Sequence, residues 1–151
     1  MADVTCVDGS TLSVLPVPVL DRHGSAYEVT LSLTRDGAPF GDVGERCGWF
    51  LTRTAAALRD AGGFPERPEG ARDHELFCFR SRDPDDLGTV GELRAVVHDE
   101  HAWTAHGWEH RSRAVLSAWG AAGIGVQAVL TSEGLLAFLD ALAADVERVA
   151  G

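Results

Sequence analysis

The chain has 151 residues, 45% of them hydrophobic and 24% charged, which is the composition of a soluble globular protein with enough length for one hydrophobic core. Thirteen basic residues against 23 acidic ones give a net charge of −10. That field repels phosphate backbones and anionic headgroups, so nucleic-acid and membrane-surface binding are excluded, whereas a basic protein or a basic small molecule is suited.

Every cation is an arginine, and the chain holds no Lys and no Asn, a single Ile (Ile124) and a single Gln (Gln127). This bias fits a GC-rich bacterial genome. It also removes any phosphate-loop lysine, Schiff-base lysine or Cys-His-Asn triad. Cys6, Cys47 and Cys78 are too widely spaced for a CxxC motif and odd in number for a disulfide framework, which points to a reducing compartment. Cys47 and Cys78 are expected in the core, and Cys6 near a mobile terminus. No apolar run reaches the roughly 20 residues of a membrane span, so a cytoplasmic protein is expected.

In chain order, residues 11–20 (TLSVLPVPVL) read as an edge strand or an irregular extended lead-in, because Pro16 and Pro18 cannot donate to a ladder. Asp21–Gly24 is a turn, and residues 26–34 alternate as a half-buried strand with one wet face. A helix is predicted over Val43–Ala61, capped by Asp42 with Glu45 three residues on, and ended by Gly62-Gly63. Its apolar stripe is Val43, Cys47, Phe50, Leu51, Thr54, Leu58 and Ala61. Trp49 projects to the opposite, polar side beside Arg46 and Arg53.

Residues 63–74 form a Pro/Gly/charge-rich loop. Four short strands follow at 75–81, 91–98, 112–119 and 124–130, and tight turns between them imply an antiparallel meander. Thr131 or Ser132 caps a last helix over Glu133–Val149, with Leu135, Phe138, Leu139, Leu142, Val146 and Val149 as its apolar face. The predicted order is β-β-α-β-β-β-β-α: one α+β domain over 1–151, an antiparallel sheet of five to six strands with two amphipathic helices on one face, and no internal repeat. The Pro-bearing edge and the outward Trp49 leave room for a homodimer.

The segment 98–110 (HDEHAWTAHGWEH) concentrates four of the six histidines and two of the four tryptophans. As a strand it sets His106 and His110 about 13 Å apart, too far to grip one ion, and no metal signature is present; no metal and no cofactor are expected. Two uses remain. As a recognition surface, Trp103, His106, Trp108 and His110, with Arg111 and Arg113 near and with Trp49 and Arg53 on the helix, supply the amphipathic contacts that dominate interfaces. As an acid–base site, His98, Glu100 and His106 supply groups that titrate or accept protons near neutrality.

No nucleophile elbow or phosphate cradle is present, and the calcium-like Asp83–Gly88 run lacks the required acid at its end. The leading expectation is a binding protein for a basic partner, of the immunity, inhibitor or chaperone kind. The alternative is a small enzyme or ligand-binding protein of bacterial specialised metabolism with an aromatic-lined pocket.

Overall fold

The computed structural model describes residues 2–44, 47–64, 73–82, 89–120 and 123–150, without the side chains of Tyr27, Cys47, Arg82, Thr89, Val90, Glu100, His101, Ala102, His110 and Ala150. The elements are β1 (Ala2–Thr5), β2 (Thr11–Leu20), β3 (Ala26–Arg35), β4 (Ala38–Val43), α1 (Cys47–Ala61), β5 (Asp73–Arg82), β6 (Thr89–Thr104), β7 (Gly107–Gly120), β8 (Gly125–Leu130) and α2 (Ser132–Ala150). The α+β class and the antiparallel pairing are as expected. The strand count and order are not: the described strands form two four-stranded meanders, β1-β2-β3-β4 and β5-β6-β7-β8, each followed by a helix.

Two strands escape the sequence reading for physical reasons. β1 has four residues, too few to establish an alternation. β4 (APFGDV) carries a proline and a glycine that read as turn chemistry, yet it pairs with β3 as an edge strand, where a proline is tolerated. Asp42 therefore belongs to a strand opposite Ser32 and does not cap the helix, which starts at Cys47 rather than Val43. Glu45 lies outside the described residues, as do 65–72 and the calcium-like run 83–88. β2 is an interior strand, not an edge. It pairs with β1 only from Thr11 to Val14, so Pro16 and Pro18 lie past the end of β1, where no donor is needed on that side.

The order ββββα thus occurs twice among the described elements, a repeated layout in a chain whose sequence shows no internal repeat. In α1 the buried positions are Leu51, Ala55 and Leu58; in α2 they are Leu135, Phe138, Leu139, Leu142 and Asp145, among which Leu135, Leu139 and Leu142 have the α1 spacing of four and then three. β3 buries Val29, Leu31 and Leu33 where β7 buries Ala114, Leu116 and Ala118. Apart from Val29 and Asp145, these side chains from both sheets and both helices belong to one contiguous core.

Two junctions weld the halves. β4 crosses β6 and β7 at the facing pair Gly91 and Gly120. A Cβ on Gly91 would stand 2.0 Å from the Asp42 carbonyl oxygen, and one on Gly120 1.9 Å from that of Phe40, so only glycine admits this crossing. On the other margin the Val7 N–H donates to the Gln127 carbonyl of β8 at 2.8 Å. The helices pack on each other and on strands of both sheets, with the exposed Arg59–Asp140 ion pair linking α1 to α2.

Both helix ends follow local chemistry. The Gly62 and Gly63 N–H groups donate to the Arg59 and Leu58 carbonyls with Gly62 left-handed at φ 67°, and Gly134 N–H donates to Thr131 Oγ1 at 3.1 Å. Phe50 is 44% exposed, so the buried stripe of α1 is rotated from the expected one and takes in Ala55 instead. Cys6, expected at a mobile end, is 5% exposed inside the core, because its N–H donates to the Ser10 carbonyl and pins the β1–β2 turn. Cys78 is only half-buried, since Phe77 and Phe79 on either side take the inward positions. Among the described residues no helix is long and apolar enough to cross a membrane.

Candidate functional site: a tryptophan-tipped hairpin arm

Among the described strands β6 and β7 are the longest, 16 and 14 residues. They remain in register from Gly91–Gly120 to Thr104–Gly107 without a break. Their neighbours stop early. β5 accompanies β6 as far as His98, and β8 accompanies β7 from Ala114 onward. Among the described residues, the six pairs from Asp99–Ser112 to Thr104–Gly107 therefore stand as a two-stranded ribbon, about 20 Å long at ~3.4 Å per residue.

A free two-stranded ribbon is marginal in water, and this one is held by its ends. At the tip, Ala105 and His106 form a two-residue turn with Gly107 at φ 103°. Thr104 Oγ1 accepts from the His106 N–H and donates to the Gly107 carbonyl, both at 3.1 Å. Directly behind the turn, Trp103 and Trp108 stand opposite each other, edge to face, with ring centroids 5.4 Å apart. Such a pair contributes about 0.5–1.5 kcal/mol beyond its area burial. At the base, Ser112 Oγ donates to Asp99 Oδ1 at 2.6 Å.

Strand alternation sorts the rest. Trp103, Trp108, Asp99 and Ser112 continue the face that, further along the sheet, buries Leu93, Ala95 and Val97 opposite Ala118, Leu116 and Ala114. The face that is core-facing further along the sheet thus continues along the ribbon and ends in two indoles, each 70% exposed. His101 faces His110 in the register between these pairs. Glu109 and Arg111, paired at 3.3 Å, lie on the opposite face with Arg113, so the expected patch of tryptophans with Arg111 and Arg113 is divided between two sides of the ribbon.

The acid–base candidates are spread along the arm rather than gathered. His98 sits at its base on the outer face of the second sheet, with Nδ1 2.5 Å from the Asp73 carboxylate of β5 and both side chains about half-exposed. Asp73, which the sequence reading did not single out, gives that imidazole a fixed orientation. His106 is exposed in the turn at the far end. The side chains of Glu100 and His110 lie outside the described residues. Among the described residues no three His, Cys, Asp or Glu side chains gather around one point. Burial raises the pKa of the Cys6 thiol, and burial with Glu92 nearby raises that of Cys78, which disfavours the reactive thiolate in both.

Trp49 and Arg53 form a second aromatic patch on α1, whose neighbours are α2, β3 and β5. The Arg53 guanidinium lies 5.1 Å from the Trp49 ring centroid, and Trp49, 60% exposed, meets Phe50 edge to face at 4.8 Å. Beside it run two hollows of about 270 and 340 Å³ between α1 and β5, lined in part by His74 and Leu76. The sequence reading missed these residues because they flank a strand whose apolar run looked wholly internal. Comparison of the chain with protein-family models, curated proteins and solved structures gives no match in any of the three.

Proposed function

We propose that this protein is an acidic, cytoplasmic binding protein whose hairpin arm docks on a basic partner, in the manner of an immunity protein, an inhibitor or a small chaperone. The observation that carries this reading is the Trp103–Trp108 pair. Large apolar rings are normally drawn into the core, and here two stand exposed, packed edge to face, at the end of a two-stranded ribbon. Tryptophans make strong contacts at little entropic cost, and an indole face attracts arginine or lysine. The net charge of −10 supports a basic partner, since complementary fields raise the encounter rate and select against acidic competitors.

The test is affinity capture from the native host with the wild-type chain and with the double variant Trp103→Ala/Trp108→Ala. The reading expects basic proteins retained at low salt, released as salt rises, and weakened at least about tenfold by the double variant. Retention of nothing at either salt, or of the same set by both proteins, overturns it.

A second reading has one specific observation in its favour, the imidazole of His98 oriented by Asp73. A carboxylate-held histidine is the arrangement used in acid–base catalysis, and it supports a small enzyme acting at the outer face of the second sheet. On that reading His98→Gln abolishes a turnover that survives Trp103→Ala.

A further inference from the structure

β5 is the terminal strand of the second sheet and, among the described strands, pairs with β6 alone. The larger of the two hollows beside it, about 340 Å³, is lined by every residue from Leu76 to Arg80. Successive side chains of a strand point to opposite faces, so a space touched by five in a row lies along the strand's open edge and not over one face. The hollow of about 270 Å³ continues it toward His74, and Phe50, Thr54 and Leu76 belong to both. Together they form a groove with α1 as one wall and the β5 edge as the other, about 20 Å long from His74 to Arg80.

Three features specify the occupant. First, the β5–β6 register slips between Glu75 and Phe77, leaving Leu76 as a bulge without a partner on β6. A bulge frees a side chain from strict alternation, and Leu76 is the residue that joins the two hollows. Second, among the described residues the groove's charged lining is Arg53 at one end and Arg80 at the other, the latter also paired with Glu92 at 3.0 Å, and no described lining residue is acidic. In a chain of net charge −10 that is a local reversal. Third, His74 lines the same groove, and its Nδ1 is buried with no hydrogen-bond partner. A buried polar atom left so is costly unless a ligand meets it.

We propose that the α1–β5 groove is a docking site for an extended segment of a partner protein, alternating apolar with acidic residues, that adds to the second sheet as a fifth strand. Main-chain pairing with Phe77–Arg80 supplies affinity, the two hollows take alternate apolar side chains, and Arg53 and Arg80 select acidic neighbours. The site is separate from the arm, so it stands or falls independently of the basic-partner reading.

The experiment is selection of random peptides of about nine residues, displayed on phage, against the immobilised full chain. Enriched peptides should alternate apolar and acidic positions and bind Trp103→Ala/Trp108→Ala as well as the wild type. Ala57→Trp, which plugs the groove from the exposed side of α1, should weaken binding at least about tenfold with Tm unchanged. Should that variant lose stability, the exposed charge reversal Arg53→Glu makes the same test. N-methylation of alternate peptide bonds should weaken binding at least about tenfold in one register and leave it unaffected in the other, which a side-chain-only or small-molecule site would not show. Four results overturn the proposal: no enriched peptide, equal binding to both groove variants, tolerance of N-methylation in both registers, or binding that appears only when residues 65–72 are replaced by a Gly/Ser linker, which would assign the groove to the chain itself.

Discussion

Gly91 and Gly120 face each other across β6 and β7 with the β4 backbone resting on them, and neither can accept a side chain. Gly91→Ala is expected to cost about 3 kcal/mol through overpacking against backbone that has no rotamer to yield, lowering Tm by roughly 9 °C; thermal melts of this variant beside Gly37→Ala, an open site with strained φ alone, separate the two effects. Asp8 gives a pH prediction. Hydrogen bonds from the Ser10 hydroxyl and N–H, with Arg35 at 2.8 Å, hold its carboxyl below the ordinary value of 3.8. A depressed carboxyl contributes stability that is fully present above its unfolded pKa and is lost as pH falls through the folded one. The Tm gap between wild type and Asp8→Ala should therefore be constant near neutrality and close below pH 3.8; a gap unchanged at pH 2 would contradict it. At this scale the sequence was partly legible. Helical periodicity placed Trp49 outward, but it also assigned Phe50 to the buried stripe, because a 100° step cannot say how wide that stripe is once a second helix shares the core.

The arm is the element that most distinguishes the molecule. Its composition was visible in the sequence, but Thr104, Gly107 and the aromatic alternation fit strand or loop, and the expected strands stop at 98 and resume at 112 where β6 and β7 run on to Thr104 and from Gly107. Its extension past the neighbouring strands was not visible either, since that depends on where β5 and β8 end, and those limits are set by other segments of the chain. If the arm is a docking device and not part of the folding core, it is dispensable for stability. Replacing residues 100–111 by an Asn-Gly turn that joins Asp99 to Ser112 should leave Tm within about 3 °C of wild type, roughly 1 kcal/mol, and abolish capture of the basic partner. Collapse of the fold would show the ribbon to be structural. The final helix, by contrast, was readable in its stripe and its cap, which are local properties, whereas the burial of Asp145 was not.

At the scale of the whole molecule, the repeated ββββα order explains why two sheets share one core. A single meander with one helix leaves an apolar face open, and a second copy closes it, with β4 crossing the glycine pair on one margin and the β1–β2 turn bonded to β8 on the other. The sequence alone determined the α+β class, the antiparallel pairing, the end of the first helix and the cap of the last, the acidic field and the stretch rich in His and Trp, because hydrophobic period, capping residues and charge act over a few neighbours at a time. Only the tertiary structure decided that the described strands form two sheets, that their order repeats, that the tryptophans stand at the tip of an arm, and that β5 pairs, among the described strands, with β6 alone. Repeated positions need only be apolar and at the same spacing, so Leu51, Ala55 and Leu58 can match Leu135, Leu139 and Leu142 without a repeat that the eye detects. Strand partners and strand ends are fixed by contacts between residues far apart in the chain, and no local pattern encodes them.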